Sequence, residues 1–282
     1  MISVLILTRN EEKDLPGCLE SVSWSDDIHV FDSFSDDRTV EIARARGANV
    51  VQRAFDGYAS QRNAALRSLP FRYEWLFMLD ADERPTPALV EEMRDAVAHP
   101  RPGVNAYRLP IHYYLNGSRL KHSQMTPLYL RLVRPAMVRY EREVNEVLKV
   151  EGETGELRHP MNHYPFSKGI AWWLERHNAY STMEAEVVAS GGFLENASLK
   201  TALFGKTFHL RRAAQKALFY RMPARPLVKW LYLMLVRRAI LDGKAGVQYV
   251  NLQTIYEYMI VLKTRELLRE KAVRAHTSEV AQ

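Results

Sequence analysis

The stretch Trp75-Leu76-Phe77-Met78-Leu79-Asp80-Ala81-Asp82-Glu83 runs five apolar residues into an acidic cluster with no turn residue between them. An unbroken apolar run of this length reads as a strand buried on both faces. Open α/β sheets bind their ligands at the C-terminal ends of such strands. Asp80 and Asp82 are two residues apart, so in an extended segment both side chains lean to one face. Two hard oxygen ligands side by side suit Mg²⁺ or Mn²⁺, ions that keep further positions for water and phosphate oxygens. An Asp-x-Asp alone is as readily a pair of solvated carboxylates after a strand. Its weight comes from its surroundings.

Upstream, Ile2 to Leu7 is another short apolar run, and it delivers Thr8-Arg9-Asn10-Glu11-Glu12 to a strand end. Leu15, Cys18, Leu19 and Val22 recur at helical spacing. Ile28 to Phe31 makes a second strand that ends in Asp32-Ser33-Phe34-Ser35-Asp36-Asp37. A helix follows with Val40 and Ala43 facing inward and Gly47 closing it. Asn49 to Val51 is a third strand, and a helix around Ala59 to Leu69 places Arg62 and Asn63 at its start. After the strand Trp75–Leu79, Thr86 caps a helix with Pro87 at its first position, running to about His99. Strands alternating with helices predict βαβ units in a doubly wound, mostly parallel sheet. The first, second and fourth strand ends all carry polar or acidic residues, and in such a sheet they share one edge.

From Asn105 the pattern changes. Tyr107–Leu109 and Ile111–Tyr114 read as strands, with Asn116-Gly117 as a hairpin turn. Leu128–Val133, Val144–Val150 and the turn-rich 151–156 continue a β-rich section that would shape an acceptor pocket. A long helix runs from Ser167 to about Ser190 and is stopped by Gly191-Gly192. Trp172 and Trp173 within it read as core packing. Basic amphipathic helices then continue to about Glu270, before a polar tail. The chain thus divides into 1–104, an α/β half; 105–166, a β-rich section; and 167–282, a helical C-terminal region.

At 282 residues, with 47% hydrophobic and 26% charged residues, the chain has a globular composition and room for one large domain with an appendage. A single cysteine, Cys18, excludes a disulfide framework and fits a reducing compartment. The apolar Met1–Leu7 ends too early for a signal peptide, and no stretch reaches the roughly 20 apolar residues of a membrane span. The net charge of +6 is uneven. Lys200–Lys244 holds eleven Lys/Arg and one acid, Asp242, so this segment carries +10 and the remainder −4. Its cations alternate with Leu203, Phe204, Trp230, Leu231 and Leu235, the composition of an interfacial helix on an anionic membrane. A nucleic-acid partner is the competing reading, but no Gly/aromatic signature of an RNA-binding sheet accompanies the basic segment. A nucleotidyltransferase would want a glycine-rich phosphate loop after the first strand, and Thr8–Glu12 contains no glycine.

Taken together, Thr8–Glu12, Asp32-Ser33-x-Ser35-x-Asp37-x-Thr39, Gln61-Arg62-Asn63-x-Ala65 and Leu79–Glu83 resemble a family 2 glycosyltransferase of GT-A fold. Leu130–Arg134, Val144–Val147, Trp172-Trp173 with Asn178–Thr182, and Leu241-Asp242-Gly243 resemble its bacterial branch of lipopolysaccharide-core and lipid-linked polysaccharide assembly. The resemblance implies an inverting transfer from a nucleotide-sugar donor to a lipid-linked saccharide or lipopolysaccharide-core acceptor, with a divalent metal, Mg²⁺ or Mn²⁺. It implies that Thr8, Arg9, Glu11 and Asp32 line the nucleotide pocket and that Arg62, Asn63, Arg131 and Arg134 contact the donor. Asp82 becomes the principal metal ligand, with Asp80 near the ribose and the metal. Glu146 takes the general-base position, with Glu141 and Glu143 as nearby substitutes. Many relatives have His-Glu where this chain has Asn145-Glu146. The implied location is cytoplasmic, peripheral to the inner face of a bacterial cytoplasmic membrane, with no nucleic-acid partner.

Overall fold

The computed structural model describes residues 1–124, 128–141, 147–191, 198–205 and 208–280. The opening apolar run forms β1 (Ser3–Thr8), followed by α1 (Leu15–Ser21), β2 (Ile28–Asp32), α2 (Thr39–Ala45), β3 (Asn49–Gln52), α3 (Tyr58–Ser68) and β4 (Leu76–Asp80). β1 pairs in parallel with β2 on one side and β4 on the other, and β2 pairs in parallel with β3. In this register Thr8 lies opposite Asp32, and Leu7 opposite Asp80. The three polar strand ends therefore do share one edge.

Residue parity explains why these strands are apolar throughout. Val4, Ile6, Phe77 and Leu79 pack with Leu15, Cys18 and Leu19 of α1. Leu5, Leu76 and Met78 pack on the opposite face with Ala65 and Leu66 of α3. A strand covered on both faces has no position to spare for a polar side chain until its end.

β5 (Glu83–Pro85) and α4 (Pro87–Ala98) come next, with the Leu89 N–H donating to Thr86 Oγ1 at 3.3 Å, the N-cap that the sequence predicts. Then follow β6 (Val104–Leu109), β7 (Ile111–Leu115), β8 (Ser118–Arg119), β9 (Tyr129–Val133), β10 (Val138–Glu141), β11 (Val147–Val150), β12 (Glu153–Glu156) and β13 (Met161–His163). Asn116 and Gly117, at φ 49° and 75°, make the two-residue turn between β7 and β8. The β-rich section is not a body of its own. β9 inserts antiparallel between β4 and β6, and β12 adds to β6, giving a seven-stranded sheet in the order β12-β6-β9-β4-β1-β2-β3. Leu132 and Val133 of β9 are buried on opposite faces of that sheet, like the parallel strands beside them. A smaller sheet, β5-β13-β7-β8, stands beside it, and β10 pairs with β11.

The C-terminal elements are α5 (Ile170–Ala189), α6 (Leu199–Phe204), α7 (Phe208–Arg221), α8 (Arg225–Leu231) and α9 (Gly243–Val280). Between α8 and α9 the chain forms a π-helical segment, Tyr232–Val236, and a 3₁₀ turn, Ala239–Asp242. The chain divides into two compact units, residues 1–119 with 124–167 and residues 120–123 with 168–282. Within the second unit the buried Trp173 stacks on His177 at 3.6 Å, and Tyr256 of α9 meets that ring edge-on. The Lys263 ammonium donates to Asn178, Ser181 and Thr182 of α5. The polar tail expected after Glu270 is instead helical to Val280, in a segment without Gly or Pro to break it. No helix among the described residues is long and apolar enough to cross a membrane.

Candidate active site at the strand ends

The end of β2 is sealed. Asp32 is 0% exposed, and its carboxylate accepts from the Thr8 hydroxyl (2.9 Å), the Ser35 N–H (2.9 Å) and hydroxyl (2.5 Å), and the Gln52 amide (3.0 Å). Four donors fill the lone-pair sites of a carboxylate. Asp32 therefore organises the loop after β2, and the buried Thr8 is committed to the same network. Asn10 and Phe34, beside them, both hold left-handed backbone at φ 55° and 52°. For a bulky residue such as Phe this is a costly conformation, of the kind found where a side chain must be held in place. Phe34 is 60% exposed. Arg9 is also exposed and has no hydrogen-bond or ion-pair partner among the described residues. Glu11 is half-buried, its N–H donating to Thr39 Oγ1 at 2.7 Å.

The end of β4 is open. The Asp80 side chain is 36% exposed and stands between two guanidiniums, Arg62 Nη2 at 3.3 Å and Arg131 Nη2 at 3.5 Å. Asp80 continues the parity of Leu76 and Met78, toward the face that α3 covers, and so meets Arg62. Arg131 reaches in from β9 and makes its shortest contact, 2.6 Å, to buried Glu83. Glu83 in turn accepts from the Asp80 N–H at 2.9 Å, which fixes the turn between the two aspartates. Burial raises the pKa of Glu83, and Arg131 opposes that rise. Burial disfavours the Arg131 charge, but Glu83 and then Asp80 outweigh it and push its pKa up. This pair fixes the floor of the site.

Asp82 is 19% exposed and pairs with His163 Nε2 at 3.1 Å. His163 arrives because β13 pairs with both β5 and β7, aligning His163 with Glu83 and Tyr113. Burial works against a charge on His163, but Asp82 overrides it and holds the pKa above the ordinary imidazole value. Its Nδ1 is buried with no hydrogen-bond partner among the described residues. His163 is absent from the sequence expectations above, because β13 is only Met161–His163, too short for a periodicity signal.

Other sequence expectations fall elsewhere. Arg62 and Asn63 lie in the middle of α3, which begins at Tyr58, and not at a helix start. Asn63 spends its amide on the Tyr140 backbone, donating to the carbonyl and accepting from the N–H, both at 2.8 Å. It pins β10 to α3. Arg134 is not in the site. β9 runs antiparallel to β4, so each step beyond Arg131 moves away from the carboxylates. Arg134 ends at the start of β4, paired with Glu74 and 4.9 Å from the Trp75 ring. Glu141 pairs with Arg139 at 3.0 Å and Lys149 at 3.9 Å. Glu146, Asn145 and Glu143 lie outside the described residues.

No group of three or more His, Cys, Asp and Glu side chains among the described residues is placed to hold a metal ion. Asp82 with Asp80 offers two partly exposed carboxylates; Asp80 and Glu83 face the guanidiniums of Arg62 and Arg131, and Asp82 faces His163. That set fits a Mg²⁺ or Mn²⁺ that completes its shell with phosphate and water oxygens.

A family model described as Glycosyl transferase family 2 matches residues 3–159. An uncharacterised glycosyltransferase of Rickettsia typhi is 28% identical over 229 residues, covering 75% of this chain and 77% of the relative. The lipopolysaccharide core biosynthesis glycosyltransferase LpsC of Rhizobium meliloti is 27% identical over 199 residues, covering 68% and 73%. Among solved structures, glucosyl-3-phosphoglycerate synthase of Mycobacterium tuberculosis, in complex with Mn²⁺, UDP and glucosyl-3-phosphoglycerate, matches at 23% identity and a TM-score of 0.35. That match covers 39% of this chain and 44% of the solved one.

Proposed function

The chain belongs to glycosyl transferase family 2, and from that premise we propose that it moves a sugar from a UDP-linked donor to a saccharide on a lipopolysaccharide core or other lipid-linked glycan, inverting the anomeric centre. The observation that carries the reading is the open end of β4. Asp80 and Asp82 stand partly exposed at the sheet edge that also carries the closed end of β2, with Arg62 and Arg131 beside Asp80. A divalent cation held by Asp82 with Asp80 would offset the charge of the departing diphosphate. Arg62 supplies a second positive charge on the α3 side of the same space. Arg9 is free to reach a phosphate, and the exposed ring of Phe34 offers a flat surface to a nucleobase.

The remaining requirement is a base for the acceptor hydroxyl, a role typically worth on the order of 10²–10⁴ in rate. Glu146 takes it by position in the family pattern. LpsC, by its name, points to the lipopolysaccharide-core acceptor. The test is to incubate the full chain with UDP-, GDP- and ADP-sugars and a core-oligosaccharide acceptor, following nucleoside diphosphate release and the anomeric configuration of the product. The expected result is acceptor-dependent release from the UDP-sugar that chelator stops and Glu146→Gln slows within that range. Release that persists in chelator, or a retained anomeric configuration, overturns the reading.

A further inference from the structure

The run from Arg225 through Val236 is apolar on two sides. Trp230, Leu233 and Met234 turn inward, onto Val247 and Val250 of α9. Leu227, Leu231 and Leu235 recur every four residues on the other side and are exposed, Leu235 at 67%. Val236, Ile240 and Leu241, further along the chain, are exposed as well. A helix apolar all round belongs in a core or in contact with lipid. Among the described residues, only one of the two apolar sides is covered within its unit.

The charge around the strip says what fits the other side. Arg221, Arg238 and Lys244 are exposed, and Arg237 is half-exposed. The one acid between Lys200 and Lys244, Asp242, is turned in, its side chain 1% exposed. Its carboxylate accepts from the N–H groups of Lys121, His122 and Ser123 and from the Ser123 hydroxyl. The surface thus presents apolar side chains and cations with no accessible carboxylate from this segment. Next to Ile240 lies an apolar groove of about 470 Å³ lined by Val247, Leu252 and Ile255, with Lys244 also at its wall. A second copy packed symmetrically on this face would set the same cations against one another.

We propose that this strip is a membrane-docking surface for anionic phospholipid. Leu231, Leu235 and Val236 enter the acyl boundary, and Arg237, Arg238 and Lys244 meet the headgroup phosphates. The inference is independent of the sugar-transfer reading, because vesicle binding requires no donor.

Co-sedimentation of the full chain with phosphatidylglycerol–phosphatidylcholine vesicles tests it, with pure phosphatidylcholine as reference. Binding to the anionic vesicles at low salt is expected, weakened but not abolished at high salt. L231S/L235S/V236S should weaken binding on the order of a hundredfold. R237Q/R238Q should weaken it roughly tenfold or more at low salt and flatten the salt dependence. The exposed Val273, outside the strip, serves as control, and V273S should bind as the parent does. L227S/I240S, outside the π-helical segment, gives an independent reading if the triple variant melts early. Absence of binding to anionic vesicles at low salt overturns the proposal, as does undiminished binding by both serine variants. So does a serine variant that changes oligomeric state on gel filtration and leaves vesicle binding intact.

Discussion

Asp32 and Asp80 end the two strands that flank β1, they reach the same edge of one sheet, and their carboxylates are in opposite states. Asp32 is fully buried, with four hydrogen bonds from Thr8, Ser35 and Gln52. Asp80 is over a third exposed and faces two arginines at 3.3 and 3.5 Å. The position of an acid at a strand end is thus shared by architecture and by chemistry. What separates them is the supply of local donors. The loop after β2 brings its own serine and borrows a glutamine from β3. The turn after β4 commits its donor, the Asp80 N–H, to Glu83 and leaves the two aspartates to partners from α3, β9 and β13.

This contrast can be broken by mutation. The largest effect is expected at the open end. Asp82→Ala should lower turnover by roughly a thousandfold or more, through loss of counter-charge on the leaving group worth several kcal/mol. Its thermal melt should remain close to the parent's, and an unaltered rate in a steady-state assay would remove Asp82 from the chemistry. Next comes the floor of the site. Glu83→Ala leaves Arg131 buried without its closest partner, and urea unfolding should show a loss of about 3–5 kcal/mol; a loss below 1 kcal/mol would mean that Arg131 finds water. The closed end should behave as structure. Asp32→Ala strands the donors of Thr8, Ser35 and Gln52, with an expected cost of about 3 kcal/mol by the same measurement. A variant of full stability and no donor binding would place Asp32 among the ligand contacts after all.

The smallest effect concerns Asp242, a sealed carboxylate like Asp32 but in the other unit. Burial alone would raise its pKa; the hydrogen bonds from Ser123 and His122 overcome that and hold it at about 2. A depressed carboxyl pKa contributes stability above the unfolded value near 3.9, and that stability is lost as pH falls toward 2. The parent should therefore lose about 2 kcal/mol more than Asp242→Asn between pH 5 and pH 2. Parallel stability curves would assign the acid sensitivity elsewhere.

Local pattern in the sequence was enough for β1 to β4, the Thr86 cap and the Asn116-Gly117 turn, because each rests on neighbours within a few residues. It was also enough for the shared edge, since parallel βαβ units align their strand ends. Contacts across long separations were not legible. β9 enters the parallel sheet antiparallel, and only that pairing brings Arg131 into the site and carries Arg134 out of it. His163 depends on β13 pairing with β5 over some eighty residues. Asn63 reads as a ligand contact until β10 lies beside it. The seal on Asp32 was half visible, since Ser35 is adjacent in sequence, whereas Gln52 arrives only with β3.

The difference between the closed and the open strand end is tested most directly by nucleotide binding. The melting temperature of the parent, Asp32→Asn and Asp82→Asn is followed with UDP, with and without Mn²⁺. Ligand binding to the native state raises apparent stability, by about 2.7 kcal/mol at a hundredfold excess over Kd. The parent is expected to be stabilised by UDP only when Mn²⁺ is present. Asp32→Asn should start from a lower melting temperature and keep the metal-dependent increment, and Asp82→Asn should start near the parent and lose it. An increment that survives in Asp82→Asn and disappears in Asp32→Asn would contradict the account.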